Sequence, residues 1–400
     1  MKLSYKFRAY PSKSTQKVLE EHLEVCRWLY NRLLEEIRKA KDSGKKVSKY
    51  DTQRLILGLK EEKPELRGVY SKVLQMVNYQ LWGNIRALSR LKGNGKKVGR
   101  LRYKGRGWFK TINFNQSGFK IFYEKGIIEF SGVGRVKVRF HRIPGGKVKG
   151  VIIKREKSGR WFVILQCDGI ALNPLPRTGK RISIDVGVEN FVYDSQGFFF
   201  QPLKAMERFL RRIKLLQRSL SRKKKGSRNR EKARIRVARV FERIENIRND
   251  FLHKVSSWYV KNFDEIAVED LDVKGLVEAG YGRALHRNIM DSGWGKFFMM
   301  LSYKAERAGR RLIRVSPRGT TNRCSRCESV VSKRLWDRVH RCPFCGVELP
   351  RDLNSALNIW RLAGWGPPEE PVERRAIPAE LVLSGQLNSW KQEAPCVSWE

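Results

Sequence analysis

Residues 181–188 read Arg-Ile-Ser-Ile-Asp-Val-Gly-Val, and their alternation decides the fold. Successive side chains of an extended strand point to opposite faces. Ile182, Ile184 and Val186 therefore share an apolar face, and Ser183, Asp185 and Gly187 share the other. Residues 266–269, Ile-Ala-Val-Glu, repeat the arrangement, with Ile266 and Val268 opposed to Ala267 and Glu269. Each strand carries one acid among small neighbours. A buried carboxylate left uncompensated is costly, and one cation shared by both acids would remove that cost. A third acid, Asp352, opens the predicted helix Arg-Asp-Leu-Asn-Ser-Ala-Leu-Asn-Ile at 351–359. There Asp352, Ser355, Ala356 and Ile359 fall on one face, and the small residues let that face approach a sheet. Three acids converging at a sheet edge suit two magnesium ions about 3.5–4 Å apart, as in phosphodiester hydrolysis. Singly, two of these acids have ordinary readings: Asp185 as a strand-end turn former, Asp352 as a helix N-cap. Asp194 at a hairpin tip, Asp270 on the opposite strand face and Asp272 nearby are not candidates.

Working outward, a hairpin follows at 191–194 and 198–200 around Ser195-Gln196-Gly197. Helical residues 204–262 broken near Gly226, a strand at 265–270, a helix at 292–309 and a strand at 311–315 complete the series. That order implies an α/β sheet with a parallel part. At the other end, residues 2–10 alternate as a strand. Ser14 then serves as the expected N-cap of a helix carrying Leu19, Leu23, Cys26, Leu29, Tyr30 and Leu33 at helical spacing. Further helices are predicted near 51–59 and 70–91. Six short strands with glycine turns between 108 and 170 predict a small β-barrel that strand 2–10 joins, making the helical region an insertion. The segment from Gly366 is rich in proline and glutamate and is expected to be poorly ordered.

Cys324-Ser-Arg-Cys327 and Cys342-Pro-Phe-Cys345 are paired knuckles with 14 residues between them. Four thiolates at this spacing predict one structural zinc ion with no coordination position open for chemistry. His340 is read as a surface residue, because four cysteines complete the site. Arg323, Arg326, Lys333, Arg334, Arg338 and Arg341 make the module basic. Cys26, Cys167 and Cys396 stand alone and read as packing or tail residues.

The charge names the class of partner. Lys and Arg number 84 against 40 Asp and Glu, a net charge of +44. A chain so basic repels itself unless a polyanion neutralises it, and nucleic acid is the fitting polyanion. A cationic membrane-surface protein is the weaker alternative, since no anchor stands out. No apolar run is long enough for a membrane span and the N-terminus lacks a signal core, so a cytosolic, nucleoid-associated protein is expected. Residues 204–236 hold 15 Lys/Arg and two Glu around a stripe of Phe209, Ile213, Leu216 and Leu220. Arg211, Arg212, Lys223, Lys224 and Lys225 are thereby candidate phosphate contacts. The stripe continues on the return helix through Val240, Phe241 and Ile244. Residues 90–106 carry eight Lys/Arg, four glycines and no acid, with Arg100 and Arg102 as contacts. Tyr103, Trp108 and Phe109 beside them are stacking candidates or barrel core.

The set SIDVGV, IAVEDL, CSRC…CPFC and RDLNSALNI, with the opening KFRAYPSKSTQKVLEEHLEVCRWLYNRLLE, resembles the TnpB (OrfB) family of insertion-sequence proteins, relatives of type V CRISPR effectors. The resemblance covers roughly residues 1–365. It implies an RNA-guided, magnesium-dependent endonuclease that cuts guide-matched double-stranded DNA beside a short motif, the guide RNA coming from the transposon end. It also implies an α/β multidomain fold. Residues 1–10 and 104–176 would form a β-barrel wedge domain and 11–103 a helical recognition domain. Residues 177–315 and 349–365 would form a RuvC-type RNase H-like domain, with 316–348 the inserted zinc module and 366–400 the tail. The family's catalytic carboxylates map onto Asp185, Glu269 and Asp352, and its zinc ligands onto Cys324, Cys327, Cys342 and Cys345. Pro350 departs from the polar residue often found there. Ser71 and Gln75 are candidates for reading the target-adjacent motif. A monomer is favoured. An RNA-guided repressor that binds without cutting would be marked by a lost carboxylate, and none is lost. A transposase acting directly in strand transfer would need a nucleophile or acceptor site that the sequence does not offer.

Overall fold

A computed structural model of the chain describes residues 1–278, 282–334, 336–368, 371 and 373–388. It divides into two compact units, Met1–Ala171 and Leu172–Glu400.

The first unit begins with β1 (Leu3–Tyr10), and α1 (Lys13–Asp42) follows directly. Its N-cap is Ser12, whose hydroxyl accepts from the Thr15 amide at 3.1 Å. The expected cap, Ser14, lies one residue inside the helix. α2 (Lys49–Glu62) opens with a capping box of Ser48 and Asp51, and α3 (Ser71–Gly93) follows. Six strands come next: β2 (Thr111–Asn115), β3 (Phe119–Phe122), β4 (Ile127–Phe130), β5 (Gly134–Arg139), β6 (Lys147–Arg155) and β7 (Trp161–Asp168). They form one sheet with β1, in the order β2-β6-β7-β1-β5-β4-β3. β1 pairs antiparallel with both β5 and β7, so the chain's first strand is central and the helices interrupt the sheet in sequence. The strands expected to form a small β-barrel do come together in this one sheet. Among the described residues β2 and β3, the two edges, share no ladder. The sheet curls, bringing the rings of Phe114 and Phe130 to 4.9 Å. Helices and sheet share one core that includes Leu29, Tyr30, Val77, Phe7 and Val163. The boundary at 103/104 thus separates kinds of element within one packed unit. Cys26 and Cys167 are buried there as packing residues.

The second unit is built on β8 (Arg181–Asp185), β9 (Val192–Asp194), β10 (Phe198–Phe200), α4 (Ala205–Ser221), α5 (Arg228–Asn262) and β11 (Glu265–Glu269). There follow α6 (Val273–Glu278), α7 (Arg283–Ser292), α8 (Trp294–Ala308), β12 (Arg311–Val315), β13 (Val339–Arg341), β14 (Glu348–Pro350) and α9 (Arg351–Leu362). β15 (Arg375–Ile377) and α10 (Ala379–Ser384) come last. The helix expected at 292–309 starts after Gly293, whose φ of 71° separates α7 from α8. The main sheet runs β12-β11-β8-β9-β10-β15. β8, β11 and β12 are parallel, and β9 returns antiparallel. Ile182, Ile184, Ile266 and Val268 pack under Val255 and Tyr259 of α5 and Phe297 and Leu301 of α8. The opposite face is covered by α9, with Ile359 against Ala267 and Val315.

Residues 373–388 of the segment from Gly366 differ from its expectation. β15 pairs parallel with β10, and Ile377, Ala379 and Val382 are buried in the unit's core. Ile377, Ala379, Leu381, Val382 and Leu383 supply apolar surface that outweighs the proline and glutamate among and around them. Gly197 makes room: it has φ +84°, and a Cβ there would collide with the Glu373 carbonyl. Residues 389–400 of that segment, with Cys396, lie outside the described residues. No described helix is long and apolar enough to cross a membrane.

Candidate active site and metal centres

The parallel register sets Arg181 beside Glu265 and Ile184 beside Val268. Asp185 and Glu269 follow at the same ends of the two strands. α9 crosses this face closely, since Ser183 Oγ donates to the Ala356 carbonyl at 2.6 Å. Only small residues permit that approach, and here they are Ser183, Ala267, Ser355 and Ala356, all buried. Asp352, in the first turn of α9, is thereby carried to the strand ends. Its Oδ2 accepts from Asn190 Nδ2 at 3.0 Å, and its Oδ1 lies 3.3 Å from Arg351 Nη2. Gly187 is confined by the same turn. A Cβ there would stand 2.8 Å from the Asn190 carbonyl oxygen and 3.7 Å from Asp352 Oδ2.

The three acids feel one another. Burial pushes the Asp185 carboxyl well above the usual range, and repulsion from Glu269 and Asp352 adds to it. Arg351 and the Val186 amide oppose the rise. Burial also raises Glu269, against partial compensation by a hydrogen bond with the Thr320 side chain. Such a set of hard oxygen donors fits a divalent cation, which would relieve both burial and repulsion. The neighbouring acids differ. Asp270 is exposed and pairs with Arg314 at 2.8 Å. Asp272 accepts from the Lys274 and Gly275 amides at the start of α6. Asp194 is wholly buried and accepts from Gln196, Phe198 and Tyr259.

The sulfurs of Cys324, Cys327, Cys342 and Cys345 all lie within 4.8 Å of one another. A tetrahedral zinc site with Zn–S near 2.3 Å needs S···S separations of about 3.8 Å. Cys324–Cys345 at 3.6 Å and Cys327–Cys342 at 3.5 Å fit it. Hydrogen bonds from Ser329 pull the Cys327 thiol down to about 6, while burial pushes Cys324 up to about 12. α9 holds this module too. Asn354 accepts from the Ser325 amide at 2.9 Å and donates to the Arg323 carbonyl at 2.8 Å. Asn358 donates to the Thr320 and Arg323 carbonyls, both at 2.7 Å. His340 corrects the surface expectation. It is fully buried, its ring nitrogens have no hydrogen-bond partner among the described residues, and burial lowers its pKa to about 4.

Arg211 and Arg212 are exposed on α4, opposite buried Ile213. Lys224 and Lys225 are exposed in the turn before α5, and Lys223 is half-buried, its carbonyl accepting from Arg230 at 2.8 Å. Arg100 and Arg102 are exposed on a loop pinned by Asn31, which accepts from the Lys104 amide at 2.7 Å. Of the aromatic candidates there, Trp108 is 70% exposed, Tyr103 carries the Arg38 guanidinium over its ring at 4.3 Å, and Phe109 is core, packed near Tyr30. Phe241 leaves its predicted stripe and is exposed. Ser71 and Gln75 line a groove of about 340 Å³ with Tyr50, Arg54 and Leu57. Residues that the sequence reading passed over are Gly187, Asn190, Thr320, Asn354 and Asn358. Only the last pair carried a signal, two asparagines at i and i+4 on one face of the predicted helix.

Residues 155–280 match an OrfB-type family described as "Probable transposase", and 294–359 match "Cas12f1-like, TNB domain". Residues 1–46 match a family described as "Helix-turn-helix domain", although here they form one strand and one long helix. A Streptomyces pristinaespiralis protein named "Putative RNA-guided DNA endonuclease" is 32% identical over 370 residues, spanning 90% of this chain and 89% of its own. "Putative RNA-guided DNA endonuclease InsQ" of Escherichia coli is 28% identical over 371 residues, spanning 89% and 91%. The solved structure "Cryo-EM structure of the Cas12f1-sgRNA-target DNA complex" aligns at a TM-score of 0.45 and 14% identity, over 90% of this chain and 98% of that one.

Proposed function

The chain belongs to the TnpB (OrfB) family, and from that membership we propose that it is an RNA-guided endonuclease of a transposable element. It cuts guide-matched double-stranded DNA beside a short motif, with a guide RNA drawn from the transposon end. In this reading residues 177–315 and 349–365 are a RuvC-type RNase H-like domain. Residues 1–10 and 104–176 are the wedge, 11–103 the recognition region and 316–348 the zinc module. The observation that carries the reading is the convergence of Asp185, Glu269 and Asp352 where two parallel strands end under one helix.

Asp185, Glu269 and Asp352 would hold two magnesium ions, which when bound supply a water of lowered pKa and charge compensation for the leaving oxygen. Asn190 and Arg351 hold the Asp352 carboxylate in place. Ser183 fixes the distance between helix and sheet, and so between Asp352 and the strand acids. Asp185 and Glu269 must give up protons to become ligands, so affinity for the cation should rise with pH. Cys324, Cys327, Cys342 and Cys345 would hold zinc as a structural ion. The exposed cations of α4 and of the 94–110 loop bind phosphate, and guide pairing reads sequence.

The purified chain with its co-purified RNA and magnesium should cut a guide-matched plasmid. Asp185→Ala should abolish cutting, and Asp270→Ala should leave it intact. Cutting that survives Asp185→Ala would remove this acid from the centre. A wild-type chain that binds the target without cutting would be a repressor.

A further inference from the structure

A cavity of about 800 Å³ opens beside Asp352 in the second unit. Asn190, Tyr193, four cations (Lys204, Arg208, Arg338 and Arg374) and three further carboxylates (Glu189, Glu348 and Glu380) line it. Two of these cations are committed. Arg338 pairs with Glu189 at 2.6 Å, and Arg208 pairs with Glu380. Lys204 and Arg374 have no carboxylate partner among the described residues. Their placement is built by two separate elements. Lys204 holds the left-handed conformation, φ 47° and ψ 39°, at the N-cap of α4. A non-glycine residue there is uncommon, and such conformations collect at ligand clamps. Arg374 directly precedes β15, which is fastened to the hairpin by the Arg375 amide donating to the Gly197 carbonyl at 3.0 Å. It lies close enough to act electrostatically on Tyr193, which is stacked on Phe199 with ring centroids 5.0 Å apart. A volume of this size accommodates a nucleotide or two.

We propose that Lys204 and Arg374 clamp a backbone phosphate of the DNA strand next to the bond being cut. The proposal rests on the reading that Asp352 belongs to the cutting centre. The two cations fix the strand's approach and are positioning residues. A charge-assisted contact of this kind is worth about a ten-fold effect. Arg374, Ala379 and Glu380 of the C-terminal segment line the cavity, so that segment becomes part of the site.

The test uses the full chain with its RNA, guide-matched DNA and magnesium. Lys204→Asn removes the charge yet suits a left-handed backbone, and Arg374→Lys keeps the charge where Arg374→Ala does not. Lys204→Asn and Arg374→Ala should each slow cutting about ten-fold, with Arg374→Lys restoring part of the rate. A scan of neutral methylphosphonates should find a position near the cut that slows the wild-type chain but adds nothing to the loss in Arg374→Ala. Independently of cutting, backbone footprints on DNA held by an Asp352→Ala chain should lose protection at that phosphate when both cations are removed. Wild-type rates in the cation variants, additive methylphosphonate losses or an unchanged footprint would overturn the clamp and leave the carboxylate centre standing. An Asp352→Ala chain that still cuts would overturn both.

Discussion

Asp194 has no exposed surface, yet it is not one of the convergent acids. Its Oδ1 accepts from the Gln196 and Phe198 amides, both at 3.0 Å, and its Oδ2 accepts from the Tyr259 hydroxyl at 3.0 Å. Burial outweighs these three donors and pushes the carboxyl up to about 7. The folded chain therefore keeps this proton in a range where the unfolded chain, near 3.9, has lost it. The fold binds more protons between those values, so stability falls as pH rises from about 4 to about 7. Asp185 and Glu269 act in the same direction while no cation is bound. Asp194→Asn removes the titration and keeps the Oδ1 acceptor for the Gln196 and Phe198 amides, while the Tyr259 hydroxyl turns to accept from the new amide. Denaturation of the magnesium-free chain at pH 5 and pH 8 should show a loss on the order of a few kcal/mol that the variant lacks in part. Equal slopes for both chains would show that Asp194 titrates normally.

Helix α9 does two tasks with one sequence. Ser355, Ala356 and Ile359 let it lie against the sheet, and Asn354 and Asn358 tie it to the backbone of the first cysteine knuckle. Through Asn358 it also holds Thr320, whose side chain hydrogen-bonds Glu269. The zinc module and the carboxylate centre thus share a support. Cys342→Ser should take bound zinc from about one ion per chain to none and lower thermal stability. Its cutting rate should fall as well, although among the described residues no cysteine is hydrogen-bonded to the acids. Elemental analysis beside a cleavage assay checks both. Unchanged zinc would refute the four-thiolate site, and unchanged cutting in zinc-free protein would refute the shared support.

At the scale of the whole molecule, the charge of +44 sets the response to salt. With roughly ten phosphate contacts, affinity for nucleic acid should fall about 10³–10⁵-fold between 50 and 200 mM salt. Filter binding over that range measures the slope, and a flat response would contradict a phosphate-dominated interface. The sign of the charge, the paired cysteines and the phase of residues 182–188 and 266–269 were all legible in the chain itself. Period-two and 3.6-residue patterns are relations among near neighbours, and a one-dimensional text holds them fully. The alternation already separated Ile182, Ile184 and Val186 from Ser183 and Asp185, and the sheet buries the apolar set as read. Asn190 beside Asp352 and Thr320 beside Glu269 were not legible, and neither were the burial of His340 or the strand at 375–377. Each depends on which distant segments meet. That outcome is chosen by packing one apolar face against another, and residues of the same type elsewhere in the chain carry no mark of it. The sequence alone determined which residues could do chemistry and on which face they stand. Only the tertiary structure decided which of them share a site, because register, helix approach and cavity walls arise when those faces close on one another.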